Sequence, residues 1–265
     1  MKNKHKMIAV WAASALFMIA RALQNATVLG SDGFFIKDTA GQRVIAASLY
    51  VLMALAALGS FWLRREKKTV APAEMLCVPM VRYLCYAVAA MIAVQSVGEL
   101  CVSDWTGLIG LPTAAYFCLL ARSTAGQSAP GKNVMAFFAL AYPCVRLIKL
   151  FFDTFRTIKA SENILEITGL CAMVFFFIGL TKQMMNFEEP FGKTVWCAAV
   201  FSIFGTLIGP VRLLSVLMGR ASLDALSAIT MATDIVLWLF AMVCLIVLLE
   251  RQPKPMTPPQ SDGEE

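Results

Sequence analysis

Apolar residues run almost unbroken through eight stretches of the chain, and charged or turn-forming residues close each one. The stretches cover residues 7–27, 43–63, 75–98, 105–121, 133–154, 162–181, 194–217 and 225–249. A helix of about 20 apolar residues rises far enough to cross the hydrocarbon core of a bilayer. The pattern therefore predicts an all-α fold, a polytopic transmembrane helix bundle of about eight spans. The connecting segments are too short for a separate soluble domain, so residues 1–251 are expected to form one bundle. Residues 252–265 hold Pro253, Pro255, Pro258 and Pro259 among polar side chains. Such a segment cannot bury a core and is expected to be a disordered cytoplasmic tail.

Composition supports this class. Hydrophobic residues make up 59% of the chain and the mean hydropathy is +0.71, more apolar surface than a soluble domain can hide. Lys and Arg placement then sets the orientation. With a cytoplasmic N-terminus, 13 of the 23 basic residues fall in inner segments and 6 in outer ones. The other four lie within spans. Both termini are thus expected on the cytoplasmic side of the cell membrane. The net charge of +6 reads as this topology signal and gives no reason to expect nucleic acid as a partner. The first span has a rival reading as a signal peptide, with Lys2 to Lys6 as its basic region and Ala20-Arg21-Ala22 as its cleavage site. Cleavage would leave seven spans in the same orientation.

Conspicuous catalytic and cofactor chemistry is missing from the sequence. Its eight cysteines form no C-x-x-C pair and His5 is the only histidine, so no metal site or cofactor is expected. Seven of the cysteines fall within spans, where a thiol packs as a small hydrophobe; Cys101 falls in an outer loop. No phosphate-binding loop occurs, and the last span lacks a lysine for a retinal Schiff base. Glu188-Glu189-x-x-x-Lys193 resembles the paired-glutamate motif of glutamic intramembrane proteases. The pair falls in a cytoplasmic loop and no intramembrane histidine accompanies it, so an intramembrane hydrolase is the minor reading. The chain is expected not to be an enzyme. Gly30-Ser31-Asp32-Gly33 signals a turn, and Asp104, Ser161 and Ser222 stand where the fourth, sixth and eighth spans need N-caps.

The informative residues are charges inside the apolar runs: Arg21, Arg82, Arg146, Glu166, Arg212 and Asp234. Each costs on the order of 2.5–3.5 kcal/mol at the centre of a lone membrane helix. At 1.5 Å per residue, Asp234 lies about 4 Å outward of its span's midpoint and Arg146 only slightly outward. Arg21 and Glu166 lie about 6–8 Å outward and Arg212 about 10 Å. Five charges from five spans thus share the outer half of the membrane, with Gln24, Asn25 and Gln95 nearby; Arg82 alone sits in the inner half. Arginine can snorkel to the interface from that depth. Asp234 cannot, so it is expected to pair with Arg146 or Arg212. A structural ion pair and a functional site remain alternative readings of the layer. The six sum to plus two, which in a water-filled outer pocket would favour an anionic solute or a lipid headgroup.

Pro79, Pro112, Pro143 and Pro210 fall inside the third, fourth, fifth and seventh spans, where proline kinks or interrupts a helix. Pro79, Pro143 and Pro210 are each followed two or three positions later by an arginine: Arg82, Arg146 and Arg212. Gly205-x-x-x-Gly209 marks a close-packing face, expected to seat another helix of the same bundle. Arg146, Lys149, Asp153 and Arg156 form one stripe at helical spacing. That stripe reads either as an amphipathic exit into the headgroups or as a solvated helix end with Lys149 paired to Asp153.

Two segments carry a resemblance. One is Arg21-Ala-Leu-Gln24 followed by Gly33-Phe34-Phe35. The other runs from Phe151-Phe-Asp-Thr-Phe-Arg156 through Ser161 to Glu166 and into Phe175-Phe-Phe. The chain resembles an uncharacterised polytopic membrane protein family of clostridial bacteria. The resemblance implies a bacterial inner membrane and implies no activity. On the residues alone, the leading expectation is a transporter or solute-binding protein. Its small anionic or lipid-headgroup ligand would be held by Arg21, Arg146, Glu166, Arg212 and Asp234. The alternative is a non-catalytic sensor or scaffold subunit acting through helix contacts with partner membrane proteins. The lipid bilayer is the expected surrounding in either case.

Overall fold

The structure, a computed structural model, describes residues 2–27, 40–65, 76–125, 129–154, 160–184, 191–219 and 223–250. Among these the chain is helical and holds no strand. The helices are α1 (Lys2–Thr27), α2 (Ala40–Ser60, tightening into a 3₁₀ turn over Phe61–Arg65) and α3 (Pro79–Cys101). They continue as α4 (Gly107–Thr124), α5 (Lys132–Thr154), α6 (Ala160–Met184), α7 (Phe191–Phe204), α8 (Pro210–Leu217) and α9 (Ala225–Glu250). The chain is a multi-pass helical membrane protein. Seven segments, with α7 and α8 counted as one, are long and apolar enough to cross a bilayer. The eighth expected span is α4, a helix of 18 residues interrupted by Pro112 and ending beside Arg122. It is about 27 Å long and stands outside those seven, yet it buries Tyr116 and Phe117 completely.

Local sequence explains the boundaries that differ from expectation. Pro79 does not kink the third span. It occupies the first helical position of α3, with Val78 extended before it, where proline's missing N–H costs nothing. The helix consequently runs on to Cys101. Pro210 does the opposite of a gentle kink: α7 stops at Phe204, Gly205–Leu207 form a 3₁₀ turn, and Pro210 opens α8. The seventh span is therefore discontinuous. Gly205 and Gly209 flank this break and lie against α9. A Cβ on Gly209 would come within 2.9 Å of the Ile235 amide, and one on Gly205 within 3.1 Å of Trp238. The pair does seat a helix of the same bundle.

Helices α3 and α4 form the tightest hairpin. A Cβ on Gly110 would sit 1.9 Å from Ser96 Oγ, and one on Gly107 would sit 2.4 Å from the Ser96 carbonyl oxygen. Beyond this crossing, α3 packs on α9, α4 on α5, α5 on α6, α6 on α7, and α7 on α9. Aromatic rings fill the interior. Phe117 meets Phe177 and Phe240 edge-on at 5.8 and 5.6 Å, and Phe176 stacks on Phe201 at 5.4 Å. Helix α1 packs on α2, α7, α8 and α9. Its Phe17 is fully buried against Phe204, and its Ser14 hydroxyl donates to the Ser202 carbonyl at 3.1 Å.

Side chains such as Trp11, Ile19, Leu55, Phe137, Phe152 and Leu239 stay exposed on the outer surfaces of their helices, as lipid-facing residues should. The 30–33 turn, Glu188, Glu189, Ser222 and residues 251–265 lie outside the described residues, as do the side chains of Asn25, Asp153 and Ser161.

Candidate functional site

Two polar side chains one turn apart on α3, Gln95 and Glu99, begin the site. Both are buried, at 1% and 7% exposure. The turn after α3 folds back over them. Val102 and Asp104 donate their N–H groups to the Glu99 carbonyl, and Ser103 donates to the Leu100 carbonyl. This is a Schellman closure, with Ser103 at the left-handed position usually held by glycine (φ 61°). The turn carries Asp104 and Thr106 above the Glu99 carboxylate. Asp104 was expected to cap α4, which begins only at Gly107. Instead Asp104 Oδ1 accepts the Thr106 N–H at 3.0 Å, and the Asp104 carbonyl accepts the Gly107 N–H. The carboxylate thus braces the turn that leads into the helix.

The hydrogen bonds form a continuous chain. The Tyr142 hydroxyl on α5 donates to Gln95 Oε1 at 3.0 Å, and Gln95 Nε2 donates to Glu99 Oε1 at 2.7 Å. The Thr106 hydroxyl lies 3.1 Å from Glu99 Oε2 and 2.8 Å from Asp104 Oδ1. It has one hydrogen to share between two carboxylates. The ammonium of Lys149, on α5, donates to Asp104 Oδ2. Burial opposes charge on Asp104, but the hydrogen bonds from Lys149 and Thr106 outweigh it and hold the carboxyl below its ordinary value of 3.8.

One helical turn before Lys149, Arg146 turns inward. Its Nη1 and Nη2 donate to the two oxygens of Asp234 on α9 at 2.5 and 2.9 Å. This is the two-pronged geometry that suits guanidinium and carboxylate. The guanidinium also lies 5.6 Å from the Tyr142 ring centre. Asp234 is 1% exposed and Arg146 10%. The pairing expected for Asp234 is present, and of its two candidate partners it takes Arg146. Arg212, in the first turn of α8, instead faces Glu166 on α6 at 4.0 Å, with each side chain about one-third exposed. Of the Arg146, Lys149, Asp153 and Arg156 stripe, Arg156 and the Asp153 side chain lie outside the described residues. Arg146 turns into the bundle, the half-exposed Lys149 takes Asp104, and Phe151 and Phe152 point outward.

These groups surround an open cavity of about 300 Å³, walled by Gln95, Glu99, Thr106, Arg146, Lys149, Glu166 and Arg212 with Leu150, Leu170, Leu226, Ser227 and Thr230. It lies at the end of the bundle where α3 meets α4. The aromatic interior sits about ten residues, or some 15 Å, farther along the same helices. Ser227 belongs to the first turn of α9, whose N-terminus is capped by Asp224. The Ser227 hydroxyl, and then its amide, bond that exposed carboxyl and hold it below its ordinary value.

Of the five residues expected to hold a ligand, Arg146, Glu166 and Arg212 line the cavity, and Asp234 lies behind Arg146. Arg21 does not line it. It is buried on α1, where its Nη1 donates to Gln24 Oε1 at 3.1 Å. Among the described residues α1 packs mainly on α2, α7, α8 and α9, away from the cavity-lining faces of α3, α5 and α6. Equal depth in the membrane fixed only one of the coordinates needed to bring Arg21 here. The expected positive balance also changes. Three bases (Arg146, Lys149 and Arg212) face four acids (Glu99, Glu166, Asp104 and Asp234) in the wall and directly behind it. Glu99, Tyr142, Thr106 and Lys149 were not foreseen as members of the site. The Gln95–Glu99 spacing of four was the signal for the first of these. Among the described residues no group of histidine, cysteine and acidic side chains is placed to hold a metal, and all eight cysteines are unbridged. No family model, no curated protein and no solved structure matches the chain.

Proposed function

We propose that this chain is a transporter-like, solute-binding protein of a bacterial inner membrane, with both termini in the cytoplasm and the charged cavity opening to the outer side. The orientation follows from the excess of Lys and Arg in the segments at the opposite end of the bundle. The ligand is a small solute or lipid headgroup carrying an anionic group. One observation supports this reading above the others: side chains from α3, α5, α6, α8 and α9, five helices far apart in sequence, converge on one polar cavity among apolar spans. Intramembrane charges are costly and are kept where they serve a polar pathway or site. The volume sits at the low end of the range for ligand pockets.

The roles divide by how tightly each charge is held. Arg146 and Asp234 satisfy one another and form the fixed floor. Arg212 stands 4.0 Å from Glu166, at the limit of an ion pair, and is one-third exposed. It is therefore the cation free to exchange its partner for an incoming oxyanion. The break between α7 and α8 allows that half-helix to shift without unwinding a continuous span, as in transporters with discontinuous helices.

The test is binding and flux in proteoliposomes with a panel of small anions, inorganic phosphate first. Arg212→Gln is expected to weaken anion binding about tenfold or more, the value of one charge-assisted hydrogen bond. Unchanged binding and flux in both Arg212→Gln and Arg146→Ala would overturn the proposal.

A further inference from the structure

Resting on this reading of the cavity, we infer that the ligand is zwitterionic, and that Glu99 receives its ammonium end while Arg212 receives the oxyanion. The argument begins with an imbalance. Asp234 has Arg146, Asp104 has Lys149, and Glu166 has Arg212. Glu99 is the fourth acid of the site, lines the cavity, and is more than nine-tenths buried. Among the described residues no cation lies within ion-pair distance of it. Its oxygens receive only neutral groups, the Gln95 amide at 2.7 Å and the Thr106 hydroxyl at 3.1 Å.

The second of these contacts is shared, because the same hydroxyl lies closer to Asp104 Oδ1, at 2.8 Å. A single hydrogen cannot serve two carboxylates. Glu99 therefore keeps unused acceptor capacity on the wall of a cavity. A buried carboxylate needs a cation to offset lost hydration, and the described residues place none against Glu99. An ammonium arriving from the cavity supplies three N–H donors and the missing charge. A ligand bearing both an ammonium and an oxyanion on a short spacer then completes two incomplete pairs, at Glu99 and at Arg212. This chemistry occurs in small free amino-phosphates and in the headgroup of phosphatidylethanolamine.

The test uses the full chain, purified in detergent, with O-phosphoethanolamine, inorganic phosphate and ethanolamine as probes read by calorimetry. The same chain in nanodiscs of phosphatidylethanolamine or phosphatidylglycerol, read by thermal unfolding, forms the lipid arm. O-Phosphoethanolamine is expected to bind wild type more tightly than either half-molecule. Glu99→Gln should weaken it about tenfold while leaving phosphate binding unchanged or stronger. Glu99→Asp keeps the charge and should retain part of the affinity, which separates a lost site from a misfolded chain. A headgroup ligand would show instead as stabilisation by phosphatidylethanolamine over phosphatidylglycerol that Glu99→Gln abolishes. Were Glu99 only a structural acceptor for Gln95 and Thr106, Glu99→Gln would leave binding of both zwitterions unchanged, and the inference would fall. Arg212-dependent phosphate binding with no gain from the ammonium would likewise overturn the inference and leave the cavity reading intact. No binding of any probe, with no lipid preference, would overturn both.

Discussion

Replacing Asp234 with leucine strands the Arg146 guanidinium in the bundle. The carboxylate is 1% exposed and takes both prongs of an arginine that is itself 10% exposed. Beyond that carboxylate, the guanidinium lies 5.6 Å from the centre of the Tyr142 ring. Removing one member of a buried ion pair costs about 3–5 kcal/mol, because the surviving charge keeps its desolvation penalty without its partner. For a chain of 265 residues, each kcal/mol moves the midpoint of unfolding by roughly 2–4 °C, so a fall on the order of 10 °C is expected. Replacing both residues removes the stranded charge as well. Arg146→Leu with Asp234→Leu should therefore be more stable than Asp234→Leu alone, with a coupling of at least about 1 kcal/mol. Thermal unfolding of the four proteins in one detergent measures the cycle. If Asp234→Leu costs under 1 kcal/mol, or if the two single effects add, the pair is not the fixed floor described above.

Three further outcomes follow from the walls of the site. Ser103 holds a left-handed conformation at φ 61°, so Ser103→Gly should stabilise the chain by about 0.5–1 kcal/mol in a denaturant titration, and Ser103→Val should destabilise it. Gly110→Ala should cost about 1–3 kcal/mol through overpacking against Ser96, and adding Ser96→Ala should restore much of the loss in the same unfolding assay. The depressed Asp104 carboxyl favours the charged form in the folded state. Its stabilising effect is complete above its ordinary value of 3.8 and is lost as pH falls through the lower folded value. Wild type should accordingly lose more thermal stability than Asp104→Asn as pH is taken from 5 to below 3.5, provided both remain soluble.

The spans were legible because hydrocarbon imposes a coarse requirement, a long apolar run, that composition alone reveals. The Asp234–Arg146 pair was legible for a related reason: a short acidic side chain deep in a span cannot reach water and must find a base. Glu99 was missed through a boundary. Ending the third span at residue 98 left Glu99 in a loop, whereas Pro79 as the first helical residue carries α3 on to Cys101 and Glu99 into the interior. For Lys149 the stripe offered either an exit into the headgroups or pairing with Asp153 on its own helix, and its described partner lies in the α3–α4 turn. Arg21 shows the converse limit. Hydropathy gives depth, but which neighbour a helix presents its charge to depends on packing between α1 and the α7–α9 side, which no periodicity in this chain encodes. The break at Gly205–Pro210 lies between, since its residues were visible but a kink and a full interruption share the same sequence signal.

The central claim is that water reaches a charged cavity sunk among these helices, and cysteine accessibility tests it directly. In a chain stripped of its eight native cysteines, Thr230→Cys places a thiol in the cavity wall. Thr233→Cys places one a turn deeper, where the native hydroxyl is fully buried and bonded to the Ile229 carbonyl at 2.9 Å. A charged, membrane-impermeant thiol reagent added outside intact cells should modify Thr230→Cys and spare Thr233→Cys. An inert Thr230→Cys, or equal reaction at both positions, would contradict the account.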